Sequence, residues 1–153
     1  MDRSQQPPRP RSTARIFGHP IHPMLVPFPI TCFIGAFATD IVYARTANLS
    51  WQYFSIWLIT AGLVMGGLAA IAGIIDYAGD RQVRAQRPAT PHMLLNVAAM
   101  LLSLLNAFVH SRDGWTAVVP QGIILSGVVV LILAFSGWLG GSLVYRHGVG
   151  TPP

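Results

Sequence analysis

The stretch WQYFSIWLITAGLVMGGLAAIAGII, residues 51–75, contains no charged side chain. A helix needs roughly 20 consecutive apolar residues to cross the hydrocarbon core of a bilayer. This stretch is long enough, so it predicts a membrane-spanning helix. Three further apolar segments lie around it, at residues 24–43, 93–109 and 117–144. The third segment is short for a membrane span, and the fourth is long enough to tilt or to protrude.

The connections between these segments are short, at residues 44–50, 76–92 and 110–116. Segments joined by such short loops run antiparallel to their neighbours. The sequence therefore predicts an all-α fold, an up-down-up-down bundle of four transmembrane helices within residues 18–150. The preceding residues 1–17 are rich in Pro, Ser, Gln and Arg and lack apolar periodicity, which predicts a disordered basic tail.

The composition supports a membrane protein. Charged residues make up 10% of the chain and hydrophobic residues 52%, whereas soluble domains carry about 25% charged residues. The net charge of +5 comes from ten arginines, with no lysine and no glutamate. These arginines lie in short tracts between apolar segments rather than on one basic face, which argues against a nucleic-acid partner. The single cysteine, Cys32, lies inside an apolar segment and is interpreted as a packing residue.

The arginines are distributed unequally between the two sides of the predicted membrane. Arg45 and Arg112 fall on one side, and the other side receives Arg3, Arg9, Arg11, Arg15, Arg81, Arg84, Arg87 and Arg146. Loops with excess Arg and Lys stay in the cytoplasm. We therefore predict a multi-pass protein of the cell inner membrane with both termini in the cytoplasm.

Small residues recur four positions apart on the second and fourth segments, in Gly62-xxx-Gly66, Ala69-xxx-Gly73 and Gly137-xxx-Gly141. This spacing lets helix backbones approach closely in lipid. The pattern suits packing within the bundle, and it also suits the seam of a homodimer.

Most histidines fall at the predicted cytoplasmic depth. The residues expected there come from all four segments, and they are His19, His22, Asp76, His92 and His147. Imidazole ligates haem iron and several transition metals, so the four histidines are candidate cofactor-binding residues. His19 and His22 share a face in a helical or a polyproline conformation. The polyproline form separates their Cα atoms by about 9 Å, which favours two separate partners.

The third helix carries a polar stripe at steps of four, three, four, three and four residues, namely His92, Asn96, Ala99, Ser103, Asn106 and His110. This spacing places the stripe on one helical face, and a polar face in a membrane turns toward the bundle interior. About 27 Å of helix separates the two histidines, so they lie near opposite interfaces. At the outer interface we expect Asp40 to form a structural ion pair with an arginine.

Four motifs together resemble a bacterial membrane family, domain-of-unknown-function family 2231. They are Gly18-His-Pro-Ile-His-Pro-Met-Leu-Val-Pro-Phe-Pro-Ile30, Gly73-Ile-Ile-Asp76, His92-Met-Leu-Leu-Asn96 and Gly140-Gly-Ser-Leu-Val-Tyr-Arg-His-Gly-Val-Gly150. The resemblance covers residues 18–150 and implies a small four-helix membrane module. Some relatives are joined to Rieske-type or cytochrome c-like domains, which implies electron transfer. The chain has no Cys-x-x-Cys-His motif, so a haem would be haem b, held by histidine alone.

Two functional hypotheses follow. In the first, the protein is a redox module with a redox protein partner. Its cytoplasmic histidines bind haem b or a metal ion, with room for a porphyrin beside Gly62, Gly66, Gly137 and Gly141. In the second, it is a non-redox module that uses the polar stripe as a proton or ion path, for pH sensing, or to bind a structural partner. Gly-x-Ser-x-Gly and His-Glu-x-x-His are both missing from the sequence, so we do not expect a classical hydrolase.

Overall fold

The computed structural model of the chain describes residue 10 and residues 12–150. Two short strands, β1 (Arg15–Ile16) and β2 (His19–Pro20), pair as an antiparallel hairpin. The helices that follow are α1 (Ile21–Leu25), α2 (Pro27–Thr46), α3 (Leu49–Gly79), α4 (Arg81–Arg84), α5 (Ala89–His110), α6 (Trp115–Val118) and α7 (Gln121–Tyr145). Four stretches are long and apolar enough to cross a membrane: Ile21–Thr46, Leu49–Gly79, Ala89–His110 and Trp115–Tyr145. The prediction of an all-α protein with four transmembrane helices is confirmed.

Helix boundaries differ from the prediction where local chemistry extends a helix. Helix α5 begins at Ala89, four residues before the predicted start. Pro91 lies in its first turn, where backbone N–H groups have no intrahelical partner and a proline removes nothing. Helix α3 begins after Asn48, whose side chain accepts a 3.0 Å hydrogen bond from the backbone nitrogen of Ser50, a standard N-cap arrangement.

The apolar run 117–144 predicted one continuous helix, but the fourth membrane segment is interrupted. It consists of α6 and α7, with Val119 between them in an extended conformation. Pro120 follows directly, and a residue that precedes proline is disfavoured in the α-helical region. Hydropathy alone does not detect this break, because Val119 is as apolar as its neighbours.

The four long helices form a closed bundle in which α2 and α5 each pack against both α3 and α7. The two ends of the described chain meet, since the backbone nitrogen of Gly150 lies 3.3 Å from the oxygen of Pro10. We call this end of the bundle the terminal end, and the opposite end the far end. Helices α2 and α5 finish at the far end, where α3 and α7 begin.

The bundle is apolar on its surface and contains polar groups inside. Trp57, Phe135 and Trp138 are each at least 70% exposed. Asp40 and Ser55, by contrast, are fully buried. Large apolar side chains toward lipid and small or polar side chains at helix contacts are typical of membrane bundles.

The small residues of α3 serve packing inside the bundle. A Cβ atom at Gly62 would lie 2.7 Å from the ring of Phe33, and one at Gly66 would lie 2.6 Å from Sδ of Met100. Both glycines therefore allow a neighbouring helix to approach. A Cβ at Gly137 would meet no atom within 4 Å, so a homodimer seam on the fourth segment stays a prediction.

The predicted disordered tail lies partly outside the described residues, at residues 1–9 and 11. Within the described part, Ser12, Thr13 and Ala14 contact the terminal end through the carboxylate of Asp76. Ser12 and Ala14 are buried, with exposed fractions of 4% and 8%, and β1 begins at Arg15. The bundle therefore begins its contacts before Gly18, the first residue assigned to it from the sequence.

Candidate functional site

The carboxylate of Asp76 binds the N-terminal segment and does not bind one of the candidate histidines. Its carboxylate accepts hydrogen bonds from the backbone nitrogens of Thr13 and Ala14, both at 2.7 Å. The hydroxyl of Ser12 donates to the same carboxylate at 2.9 Å. These partners were not foreseen, because no sequence periodicity connects residues 12–14 with the end of α3. The expectation that Asp76 meets the histidines is therefore not met by these contacts.

The four candidate histidines separate into a close pair and two others. His19 lies on β2 and is exposed. His147 donates from Nδ1 to the backbone oxygen of Ser142 at 3.0 Å, within the turn that ends α7. His22 and His92 lie close together at the terminal end, with ring centroids 6.1 Å apart and ring planes perpendicular. We call these two residues the histidine pair.

Each ring of the histidine pair is held by a backbone carbonyl of a neighbouring helix. Nδ1 of His22 lies 2.7 Å from the oxygen of Ala69 on α3. Nδ1 of His92 lies 2.9 Å from the oxygen of Ser136 on α7. A carbonyl oxygen only accepts, so both Nδ1 atoms carry a hydrogen, and in the neutral form of each ring Nε2 presents a lone pair. The helix contacts thus determine the same tautomer for both rings.

Glycines make room for both rings. A Cβ atom at Gly73 would lie 2.9 Å from Nδ1 of His22. A Cβ atom at Gly140 would lie 3.0 Å from Cε1 of His92. These two glycines belong to the site, although Gly73 was predicted only as a helix-packing residue and Gly140 appeared only in the family motif.

Nε2 of His92 accepts only a long contact from the amide of Asn96. Nδ2 of Asn96 lies 3.2 Å from this atom. The same Nδ2 lies closer to two other acceptors, at 2.7 Å from Oγ of Ser136 and 2.8 Å from the oxygen of His92. An amide nitrogen has two hydrogens for these three acceptors, so the contact with Nε2 is the longest and weakest of the three.

A cavity of about 60 Å³ lies beside the histidine pair, and its lining includes His22, His92, Asn96, Met100 and Gly137. It accommodates an ion or a few water molecules. Within the described residues, no group of three His, Cys, Asp or Glu side chains is arranged to hold one metal ion.

A second polar centre lies at the far end and is fully buried. Nε2 of His110 lies 2.9 Å from Oδ1 of Asp40, and neither side chain is exposed. The hydroxyl of Ser126 donates to Oδ2 of Asp40 at 2.6 Å and accepts from Nδ2 of Asn106 at 2.8 Å. Nδ1 of His110 lies 3.1 Å from Oδ1 of Asn106, and this contact completes a ring of four hydrogen-bonded side chains. We call Asp40, Asn106, His110 and Ser126 the polar ring.

We expected Asp40 to pair with an arginine, but its carboxylate instead contacts His110 and Ser126. Arg112, at the same end, instead donates to Oε1 of Gln121 at 2.6 Å. Ser126 was missed in the sequence, where its only signal is that of an isolated hydroxyl on an apolar helix. His110 and Asn106 belong to the predicted stripe, so half of the polar ring follows from periodicity.

The polar stripe of α5 faces the interior, as its spacing predicted. Ala99, Ser103 and Asn106 are each 1% exposed, and His110 is 2% exposed. The hydroxyl of Ser103, between the two polar centres, has no partner among the described atoms. At the far end, Gln52 and His110 line a further cavity of about 420 Å³.

These features define a four-helix membrane protein with two interior polar centres, one near each end of the bundle. A family model described as "Predicted membrane protein (DUF2231)" matches residues 18–153. The chain belongs to this family. Searches of curated proteins and of solved structures found no significant match.

Proposed function

We propose that the protein is a non-redox membrane module that holds and transfers protons along the interior face of α5. The observation that carries this proposal is the buried contact of 2.9 Å between His110 and Asp40. An ionisable pair inside a membrane protein is costly to maintain and is commonly part of a proton or ion path.

The hydrogen-bond partners indicate how many protons the polar ring holds. The backbone oxygen of Asn106 accepts from Nδ1 of His110 at 3.0 Å, so Nδ1 carries a hydrogen. The contact between Nε2 and Asp40 then contains one more proton, on either the imidazole or the carboxyl. In both forms the ring has zero net charge, which suits a site without water. The shared proton moves between His110 and Asp40 without any displacement of the surrounding side chains.

A route from the polar ring toward the terminal end follows the same helix. Ser103 lies one turn from Asn106, and its unpartnered hydroxyl offers a binding position for water. The cavity beside Asn96 and Ala99 continues this line toward His92. Water molecules in these positions would connect the two polar centres by hydrogen bonds, as proton transfer requires. The far-end cavity lined by His110 supplies the other opening.

Proton flux in liposomes tests the proposal. Purified protein is reconstituted with an internal pH-sensitive dye, and a potassium diffusion potential drives protons. Asp40→Asn is the informative variant, because an asparagine amide donates to Nε2 of His110 and its oxygen accepts from Ser126, so the ring stays closed without the shared proton. Asp80→Asn is the control, because Asp80 lines neither cavity and asparagine can keep its N-cap contact with the backbone nitrogen of Gln82.

We expect flux from the wild type and from Asp80→Asn, and none above empty liposomes from Asp40→Asn. Equal flux from Asp40→Asn and the wild type would reject the ring as the proton-holding group. Wild-type liposomes that leak no faster than empty ones would reject proton transfer as the function.

We further propose that the protein lies in the inner membrane and that its terminal end is on the cytoplasmic side, as the arginine distribution indicates. Reporter fusions at Ser50 and at Arg84 test this orientation. Activity of a cytoplasmic reporter at Arg84 and of an external reporter at Ser50 is expected. The opposite pattern would reverse the orientation.

The second candidate is a redox module with haem b at the histidine pair, and the 6.1 Å separation of the two rings favours it. Two imidazoles on opposite sides of an iron have about this spacing, with metal–nitrogen bonds of ~2 Å. A porphyrin, however, requires far more room than about 60 Å³. Phe33 and Met100 fill the space beside Gly62 and Gly66, so haem b would require both side chains to move.

A reduced-minus-oxidised visible spectrum of protein expressed with added haem distinguishes the two candidates. A Soret band that disappears in His92→Ala would establish haem b and a redox role. A spectrum without haem bands would reject it.

A further inference from the structure

We propose that the histidine pair is a binding site for a single monovalent copper ion, held by Nε2 of His22 and Nε2 of His92. This site lies at the opposite end of the bundle from the polar ring, in the cavity where the proposed proton route ends, and it goes beyond proton transfer.

The first support is the way in which the two rings are held. In metal sites, a ligating histidine usually donates its other ring N–H to a backbone carbonyl or carboxylate, which determines the tautomer and the ring orientation. Both histidines show this arrangement, toward Ala69 at 2.7 Å and toward Ser136 at 2.9 Å. The carbonyls belong to two different helices, so bundle packing preorganises the pair before any ion arrives.

The second support is that both remaining nitrogens are available. Nε2 of His92 faces an amide of Asn96 whose two hydrogens have closer acceptors. No hydrogen bond to Nε2 of His22 is found within residues 12–150. Both rings line the same cavity, and among the described residues the one donor near either nitrogen is the amide of Asn96, 3.2 Å from Nε2 of His92. A cation that accepts two lone pairs suits this space.

The third support is distance. A metal–nitrogen bond of ~2 Å, added to about 1 Å from the nitrogen to the ring centre, puts two opposed imidazole centres about 6 Å apart. The observed separation is 6.1 Å. A tetrahedral ion would bring the same two rings closer, to about 5 Å by the same geometry. The separation of the ring centres therefore matches two ligands on opposite sides of one ion better than a tetrahedral pair.

The ligand set then selects the metal. Zinc in structural sites takes four protein ligands, whereas no third His, Cys, Asp or Glu joins the pair within the described part of the chain. Monovalent copper accepts two imidazole nitrogens in a line and also prefers soft sulfur ligands. The thioether of Met100 lines the same cavity. Two imidazoles with a nearby thioether therefore favour Cu(I) over divalent ions.

The test uses the full-length protein in detergent, titrated with Cu(I) under anaerobic conditions in competition with a chromophoric chelator. His22→Gln and His92→Gln remove the imidazoles and leave an amide that still donates to the carbonyl, which favours folding. His19→Gln and His147→Gln are matched controls, because these histidines lie outside the pair. Circular dichroism of every variant verifies that its helices are retained.

We expect one Cu(I) per wild-type chain and per control chain, with at least tenfold weaker binding in His22→Gln and in His92→Gln. X-ray absorption of the copper-loaded wild type should show two nitrogen neighbours. Unchanged Cu(I) affinity in folded His22→Gln or His92→Gln overturns the proposal. So does equal loss in the control variants, or a wild type that binds no copper and holds only water between the rings.

Discussion

The two polar centres of the bundle differ in how completely their side chains are hydrogen-bonded. At the far end, the polar ring closes on itself, and each of its four side chains gives or receives hydrogen bonds within it. At the terminal end, the histidine pair binds backbone carbonyls through one nitrogen of each ring, and the other nitrogen has at most the long 3.2 Å contact from Asn96 to His92. A closed network stabilises the fold and can hold a proton, whereas an incomplete one keeps binding capacity for something else.

The largest expected effect comes from opening the polar ring. Asp40→Ala leaves buried His110 and Ser126 without their partner, and breaking a buried charged pair costs about 3–5 kcal/mol. Asp40→Asn keeps both contacts as neutral hydrogen bonds and should cost about 1 kcal/mol. Unfolding free energies from titration with a denaturing detergent measure both. Equal losses for the two variants would show that the ring is not a closed hydrogen-bond network.

Gly122→Ala and Gly140→Ala each add a methyl group beside one polar centre and so test how readily each centre accommodates extra volume. A Cβ at Gly122 would lie 2.6 Å from the backbone oxygen of Ala117 and 2.7 Å from Cε1 of His110. Overpacking of this kind costs about 1–3 kcal/mol, so Gly122→Ala should lower the melting temperature clearly. At Gly140 the nearest atom is Cε1 of His92 at 3.0 Å, and a side chain yields more readily than backbone.

Gly140→Ala should therefore change the melting temperature less than Gly122→Ala, because its methyl group meets a side chain that can move, whereas the methyl group of Gly122→Ala also meets backbone. Thermal unfolding of both purified variants tests the order. A larger loss for Gly140→Ala would contradict the view that the terminal end is the more adaptable centre.

The N-terminal segment provides a third comparison between the two ends. Asp76→Ala removes the acceptor of the Thr13 and Ala14 amides, at a cost of about 2 kcal/mol, typical of a hydrogen bond to a charged group. Hydrogen exchange at these two amides should accelerate, while amides around Asn106 at the far end keep their rates. Acceleration at both ends would mean that the two centres are coupled through the bundle.

The smallest expected effect distinguishes two buried serines. Ser126→Ala removes a member of the polar ring and should destabilise the protein by about 1–3 kcal/mol, because its partners stay buried and unpaired. Ser103 has no partner to lose, so Ser103→Ala should change the unfolding free energy by less than about 1 kcal/mol. Its expected effect is on proton flux. Similar stability losses in both variants would indicate a hidden partner of Ser103.

Much of the fold followed from residue patterns. The uncharged run 51–75 predicted helix α3, and the spacing from His92 to His110 predicted which face of α5 turns inward. The break at Val119 did not follow from hydropathy, because it depends on the backbone preference before Pro120. The start of α5 was predicted four residues too late, because Pro91 was taken as a break although proline is tolerated in the first turn of a helix.

The candidate site was only partly predictable. His22 and His92 belonged to the proposed set, together with His19 and His147, and the sequence offered no means to separate them. Gly73 and Gly140 became part of the site only through their contacts with the rings. The partner of Asp40 was expected to be an arginine, because opposite charges were the simplest match in a bilayer. The buried environment is instead satisfied by His110 and Ser126, which hold the carboxyl without adding net charge.

The sequence by itself determined the four membrane helices and the inward polar face of α5. Both are local properties, set by apolar length and by the 3.6-residue helical period. Only the tertiary structure decided which polar groups meet across helices. The axial offset between helices determines whether His92 reaches His22, and whether Asp40 lies level with His110. That offset arises from packing, through glycine contacts such as Gly62 on Phe33 and Gly66 on Met100, and no single helix encodes it.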